Sequence, residues 1–135
     1  MDEVIVLSKV TKAMFEDLKE SHKLITDNYY PRAEPLDHIR YGIMRDGKLV
    51  AYAKLLLRFD DCDCDIVFHN RVDVLLAIPG SKLGGKVLQH IIDTTTGELR
   101  LRACYFTPWL IDYYKKFGFV EYGHGWPEEE LVLRR

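Results

Sequence analysis

The stretch that decides the fold is Ile78–Leu88, which reads IPGSKLGGKVL. The apolar residues of Val72–Ile78 predict a strand that stops at Pro79, and a short glycine-rich turn then leads into an amphipathic helix over Lys86–Ile92. The first backbone N–H groups of a helix have no partners within it and carry partial positive charge, so this pattern suits an anionic phosphate group. A tight connection in which glycine supplies a positive φ angle would give the same pattern, and both interpretations stay open here.

A second segment, YYKKFGF at Tyr113–Phe119, follows further along the chain. Before this segment, apolar residues alternate with others over Leu99–Phe106, and this alternation predicts a strand. Trp109–Lys116 is predicted to form a short helix that ends near Gly118, a residue suited to the left-handed conformation just past a helix C-terminus.

Length and composition predict a single soluble domain over residues 1–135. A chain of this size buries roughly two-thirds of its unfolded surface, which is enough for one core. Hydrophobic residues make up 47% of the chain and charged residues 30%, as is typical of globular proteins. The net charge of −2 supplies no basic face, so we expect no nucleic-acid partner.

The cysteines and the apolar runs indicate the compartment. Cys62, Cys64 and Cys104 form no disulfide framework, which favours a reducing compartment and a cytoplasmic location. Asp2 and Glu3 interrupt the first residues, so no signal peptide is predicted. No apolar run approaches the roughly 20 residues that span a bilayer, and no membrane partner is expected.

The remaining patterns complete the order of elements. Thr11–Ile25 is predicted to be an amphipathic helix with Thr11 as its N-cap, and Asp27–His38 a proline-containing loop. Asp46-Gly47 is a strong hairpin signal, because both central residues of a type I′ turn need positive φ. Gly123–Pro127 is predicted to be a loop. Further strands are predicted at Val4–Leu7, Tyr41–Met44, Leu49–Phe59, Val67–Ile78, Phe119–Tyr122 and Glu130–Leu133.

This mixture of hairpins and βαβ crossovers predicts a fold of the α/β (mixed α+β) class. We expect a central, mixed but mostly antiparallel, twisted sheet with helices on both of its faces.

The element order resembles that of the GCN5-related N-acetyltransferase (GNAT) superfamily over nearly the whole chain. Gly85–Leu88 matches the end of that family's acetyl-CoA loop, and Tyr114–Phe119 matches its Tyr-x-x-x-Gly-Phe ending. Gly80 stands where the family usually has Arg or Gln, Leu83 where it has the first loop Gly, and Thr107 where Asn is frequent. The resemblance implies a sheet splayed between its fourth and fifth strands and acetyl-CoA as co-substrate.

The resemblance also implies where CoA would bind. Backbone N–H groups of the turn would hold the pyrophosphate, Ser81 could add a hydroxyl, and Lys82 and Lys86 could supply charge. The strand end would lie beside the pantetheine arm, opposite Arg102–Phe106, although both segments could equally be plain core strands. The implied cofactor-binding residues are Leu75, Leu76, Ala77, Ile78, Gly80, Ser81, Lys82, Leu83, Gly84, Gly85, Lys86, Thr107 and Tyr113.

Tyr114 would be the general acid that protonates the leaving thiolate, with its neighbour Tyr113 as the alternative donor. A packing role for the Tyr114 ring is the competing interpretation. His69, on the strand that leads into the site, is the candidate general base, because imidazole titrates near neutral pH. A structural role would also explain this histidine. The other candidate bases are Glu34, Asp37, Asp73 and His124.

Two loops occupy the places where the family builds its acceptor pocket. Their amphipathic aromatic residues suit a pocket wall or, equally, loop anchors packed on the core: Tyr29, Tyr30, His124 and Trp126. The acidic run Asp60–Asp65, with two cysteines, favours a solvated connection, and the alternatives are an acidic rim for a cationic acceptor or a metal site. A closed zinc site needs a second ligand cluster, which the sequence lacks, so no metal is predicted.

The resemblance therefore implies an N-acyltransferase that moves an acetyl group from acetyl-CoA to a primary amine by direct attack. The acceptor would be a small molecule or a peptide, and the protein a monomer or homodimer. The alternative is a non-enzymatic, CoA-binding regulatory or interaction module on the same fold, which the departures from the loop motif favour.

Overall fold

The computed structural model describes residues 2–16, 18, 38–59, 69–78, 80–104, 108–124 and 128–135. Within these ranges a 3₁₀ helix spans Lys12–Phe15, and two α-helices follow later, α1 (Leu83–Thr94) and α2 (Pro108–Lys115). None of the helices in these ranges has the length and apolar character that a membrane span requires. The strands are β1 (Ile5–Leu7), β2 (His38–Arg45), β3 (Lys48–Phe59), β4 (His69–Ala77), β5 (Leu99–Cys104), β6 (Val120–His124) and β7 (Glu128–Leu133).

The hairpin between β2 and β3 forms at the dipeptide that predicted it. Asp46 and Gly47 both have positive φ angles, of 52° and 77°. This is the backbone of a type I′ turn, whose twist matches that of the strands it joins. The prediction of a hairpin at this position is confirmed.

The described strands form one seven-stranded sheet in the order β1-β2-β3-β4-β5-β7-β6. Every neighbouring pair is antiparallel except β4 and β5, which are parallel because α1 connects them as a crossover. The parallel pairing is short and involves only Asn70 with Leu99 and Arg71 with Arg100. The structure therefore confirms a mixed, mostly antiparallel sheet that is splayed between its fourth and fifth strands.

Helical elements cover both faces of the sheet. Tyr52 of β3 packs on Phe15, with ring centroids 4.7 Å apart, in a cluster that also contains Leu18. The adjacent residue Ala51 points to the opposite face and joins a larger cluster with Val87 and other apolar residues of α1. Because side chains alternate across a strand, β3 contributes to both cores at once. The prediction of helices on both faces is confirmed.

Three element boundaries differ from the predictions. Thr11 is the N-cap, as predicted, but the first turn after it is a 3₁₀ turn in which the Thr11 amide donates to Met14 Sδ at 3.3 Å. His38 lies in β2 rather than in a loop, because it pairs with Leu56 of β3. Gly123 and His124 were expected in a loop but extend β6, where His124 pairs with Glu129. In both strands, pairing with the neighbouring strand continues past the point where the sequence pattern weakens.

Candidate active site

The most distinctive feature of the sheet is the gap between β4 and β5. The inner edges of these strands part after the Arg71–Arg100 pair, yet each strand keeps its outer neighbour. β4 stays paired with β3 as far as Ala77, and β5 stays paired with β7 as far as Cys104. We call the gap between residues 72–77 of β4 and residues 101–104 of β5 the wedge. It is closed at the Arg71–Arg100 pair and open at the C-terminal ends of both strands.

Main-chain groups of β4 face the wedge. The Ile78 amide donates to the Val50 carbonyl on β3 at 3.1 Å, and alternate residues of an antiparallel pair point their main-chain groups toward the partner. Ile78 and Leu76 therefore bond toward β3, while the N–H and C=O of Leu75 point into the wedge. The Leu76 side chain is buried in the core. These residues thus belong to a core strand and also form one edge of the wedge, and their place beside a pantetheine arm stays a prediction.

The turn at the open end of the wedge is held by its own hydrogen bonds. The Ser81 amide donates to the Ile78 carbonyl at 3.2 Å, and the Ser81 hydroxyl donates to the same oxygen at 2.5 Å. The Leu83 amide donates to Ser81 Oγ at 3.3 Å. Gly80 and Lys82 both have positive φ angles, of 75° and 62°. Ser81 therefore shapes the turn, and its hydroxyl proton is engaged within it.

Helix α1 begins at Leu83, so the two glycines of the motif lie in its first turn. The Lys86 amide is the first to bond back, to the Lys82 carbonyl at 3.4 Å. Among the described residues, the amides of Gly84 and Gly85 have no hydrogen-bond acceptor. The Lys82 side chain is exposed at the N-cap position just before these amides, whereas the exposed Lys86 side chain lies on the side of the helix that faces Asp2 and Val4. The first turn of α1 thus presents donors and positive charge at the mouth of the wedge.

The hydroxyl of Tyr113 lies against the backbone of Gly85. A Cβ atom at Gly85 would be 2.6 Å from Tyr113 Oη and 3.3 Å from Phe117 Cζ, so only glycine leaves room for this approach. The phenol of Tyr113 is half-buried, and this loss of solvent raises its pKa above the ordinary value. The hydroxyl therefore keeps its proton at neutral pH and is able to donate a hydrogen bond near the start of α1.

Tyr114 points elsewhere, because successive residues of a helix are turned about 100° from each other. Its side chain is buried, with 6% exposed, and belongs to the main core cluster. The centroid of its ring is 5.6 Å from that of Tyr113 and 6.3 Å from that of Phe119. The packing interpretation of Tyr114 therefore has structural support, and its role as an acid stays a prediction.

The other predicted residues are dispersed. His69 begins β4 and pairs with Phe59, roughly 25 Å along the strand from Ala77 at about 3.3 Å per residue, beyond the closed end of the wedge. His124 lies on β6, an edge strand. The side chains of both histidines and of Asp73 are outside the described residues. So are Tyr29, Tyr30, Glu34, Asp37, Thr107, Trp126 and the run Asp60–Asp65.

The sequence analysis missed a buried polar cluster at the closed end of the wedge. Arg71 and Arg100 are only 4% and 6% exposed. Arg71 Nη2 is 2.5 Å from Glu130 Oε1, and Arg100 donates from Nε and Nη2 to Glu98 Oε2 at 3.0 and 2.9 Å. The available signal was the alternation of β5, which places Arg100 on the face opposite Leu99. Over the part of the chain that is described, no three His, Cys, Asp or Glu side chains group in a way that could hold a metal ion.

Solved structures with the same architecture define the class of fold. The protein PH1933 from Pyrococcus horikoshii OT3 superposes with a TM-score of 0.75 at 12% identity, over 100% of this chain and 99% of its own. An acetyltransferase from Thermus thermophilus gives 0.68 at 14% identity, over 98% and 97% of the two chains. The PaiA N-acetyltransferase from Thermoplasma acidophilum, solved in complex with coenzyme A, gives 0.66 at 14% identity, over 98% and 99%.

This chain therefore has the fold of the GNAT superfamily, including the splayed parallel strands that the sequence resemblance implied. No protein-family model and no curated protein sequence matches it. The likeness lies in the three-dimensional arrangement, at identities too low to carry individual residues across.

Proposed function

We propose that this protein is an acyl-CoA N-acyltransferase that transfers an acetyl group from acetyl-CoA to a primary amine. The observation that carries the proposal is the wedge, whose open end meets the free first-turn amides of α1. A GNAT-fold relative was solved with coenzyme A, which supports a CoA-type ligand on this architecture.

The described residues fit such a ligand. The amides of Gly84 and Gly85 would donate to the pyrophosphate oxygens, where the α1 dipole favours negative charge. Lys82 and Lys86 would add charge from exposed positions, and Tyr113 would add a neutral donor beside Gly85. Leu75, inside the wedge, would offer main-chain groups to the pantetheine amides. These interactions rely on backbone rather than on side-chain identity, so they tolerate Gly80 and Leu83 at positions where the family motif differs.

Acetyl-CoA supplies an activated acyl group on a good leaving thiolate. In this proposal Tyr114 Oη gives its proton to the departing sulfur, and Tyr113 is the alternative donor. His69, or a water that it holds, takes the proton that the attacking amine must lose. Tyr29, Tyr30, His124 and Trp126 would line the acceptor pocket. The amine would be carried by a small molecule or a peptide.

A second function has its own supporting observation. The buried Tyr114 ring packs on Phe119 and Tyr113, as a purely structural residue would. Together with the altered loop motif, this favours a CoA-binding module that senses acyl-CoA and catalyses nothing.

The two functions separate in one set of measurements on the full chain. Calorimetry with acetyl-CoA tests binding, and a thiol-release assay over a panel of primary amines tests turnover. Once an acceptor is found, Tyr114→Phe should retain CoA affinity and lower kcat by about 100-fold or more, the scale of a lost proton donor. Tyr113→Phe is measured in parallel, because Tyr113 is the alternative donor.

Absence of acetyl-CoA binding would refute both functions. Binding without thiol release for any amine would leave the regulatory module as the function. If Tyr113→Phe lowers kcat and Tyr114→Phe does not, the acid is Tyr113 and Tyr114 is a packing residue.

A further inference from the structure

An exposed aromatic ring stands at the mouth of the wedge. Trp109 lies in the first turn of α2 and 66% of it is exposed, a large apolar surface to leave in water. Because β4 and β5 are parallel, their C-terminal ends lie at one edge of the sheet. Helices α1 and α2, which follow those strands, therefore begin at the same edge.

Helix periodicity fixes the side of α2 on which Trp109 lies. Residues four apart share a helix face, so Trp109 is on the same face as Tyr113. That face is turned toward the first turn of α1, because Tyr113 Oη and Phe117 Cζ both lie against Gly85. Trp109 is about one turn closer to the sheet edge than Tyr113, roughly 6 Å along the helix axis. It therefore stands level with the turn that precedes α1.

From these relationships we propose that Trp109 forms the purine subsite of the CoA site, by stacking on the adenine ring. The inference rests on the proposed function, since it extends the CoA site from the first turn of α1 onto α2. The phosphates of the ligand would accept hydrogen bonds from the amides of Gly84 and Gly85 and from the Tyr113 hydroxyl. The adenosine then leaves the phosphates on the solvent side of the turn, where the exposed ring is available.

The chemistry of the two partners agrees. An indole presents a flat π face, and a purine stacks on such a face whatever its hydrogen-bonding edge. The rings of Tyr113 and Phe117, 5.4 Å apart, pack against each other and support α2 at the level below. Lys82, the exposed N-cap residue of α1, would meet the phosphate charge of the nucleotide.

The test compares two ligands that differ in the adenosine portion. CoA and 4′-phosphopantetheine share the pantetheine arm and one phosphate, but only CoA carries the purine. For Trp109→Ala we expect the Kd of CoA to rise about tenfold or more, and the Kd of 4′-phosphopantetheine to stay unchanged. Trp109→Phe should recover most of the CoA affinity, because it keeps an aromatic face. Tyr122→Ala, which removes another exposed aromatic from the edge strand β6, is the matched control and should change neither Kd.

A spectroscopic measurement checks the contact directly. The chain has two tryptophans, so Trp126→Phe leaves Trp109 as the only one. CoA should quench its fluorescence and 4′-phosphopantetheine should not. Unchanged CoA affinity in Trp109→Ala, or an equal loss for both ligands, would overturn the subsite while leaving the CoA site in place. If the unaltered chain binds neither ligand, the proposed function fails and this inference fails with it.

Discussion

The guanidinium of Arg71 on β4 reaches across β5 to the carboxylate of Glu130 on β7. Arg71 is also the last residue of β4 that pairs with β5. The ion pair therefore ties three strands together at the position where the wedge begins. Both side chains are largely buried, at 5% and 17% exposure, so the pair is little screened by solvent.

Removing one partner of this ion pair should be costly. We expect Glu130→Leu to lower the free energy of unfolding by about 3 kcal/mol, because it leaves a buried guanidinium without its carboxylate. The double variant Arg71→Met with Glu130→Leu should recover most of that loss, since apolar side chains can replace a buried pair. Urea denaturation of the three proteins measures this. Equal losses in the single and double variants would show that the charge pairing is unimportant here.

The close approach of Gly85 and Tyr113 predicts a substitution with a specific rescue. Gly85→Ala adds a Cβ 2.6 Å from Tyr113 Oη, and this overpacking should outweigh the gain of about 1 kcal/mol in helix propensity. We expect a net loss of roughly 1 kcal/mol in the free energy of unfolding. Tyr113→Phe in the same chain removes the clashing oxygen, so the double variant should be more stable than Gly85→Ala alone. A double-mutant cycle by denaturation gives the coupling, and additive effects would contradict the contact.

The half-buried phenol of Tyr113 predicts a dependence of stability on alkaline pH. Burial raises the pKa of Tyr113 in the folded protein, so the native state keeps this proton where the unfolded chain loses it. The unfolded state then binds fewer protons, and the free energy of unfolding falls as pH rises above the ordinary phenol pKa of about 10. Below that pH the contribution is fully present. Tyr113→Phe should therefore lose less stability than the unaltered chain between pH 8 and roughly pH 11.

The control for this pH experiment is Tyr122→Phe, because Tyr122 is 49% exposed. It should follow the decline of the unaltered chain. If Tyr113→Phe follows that decline as well, then the burial of Tyr113 has no energetic consequence.

Arg135 caps the C-terminal end of α1. Its guanidinium donates to the carbonyls of Ile92, Thr95 and Gly97, at 2.5, 2.9 and 2.9 Å. These carbonyls lie at and beyond the last turn of the helix, where a positive charge also complements the dipole. Arg135→Ala should lower the free energy of unfolding by about 1 kcal/mol, because the hydrogen bonds are exposed to water. Arg135→Lys should lose part of that, since it keeps the charge and loses the planar array of donors. Chemical denaturation measures the free energy of unfolding of each variant. If Arg135→Lys loses as much as Arg135→Ala, the effect comes from the hydrogen bonds alone.

Much of the fold could be predicted because it depends on short-range chemistry. Asp46-Gly47 tolerates positive φ and so predicts its turn. The residue pattern shows which side is apolar, both in the alternation of β5 and in the helical period of α1. The resemblance to the GNAT superfamily implied the splay, which the structure confirms. The roles of the candidate-site residues could not be checked in this way, because the similar structures are too distant in sequence to carry individual residues across. Tyr114 as acid and His69 as base stay predictions.

By itself, the sequence determined the order of elements, the hairpin and the helix that starts from a glycine-rich turn, since each follows from residues close together in the chain. Only the tertiary structure decided which tyrosine of the YY pair is buried. Tyr113 and Tyr114 have the same local surroundings in sequence, and the packing of α2 on α1 turns one toward Gly85 and the other into the core. Likewise, Arg71 and Glu130 are far apart in the chain, and their pairing follows from a sheet order that places β7 beside β5. Long-range packing of this kind is set by the whole core at once, so no local pattern encodes it.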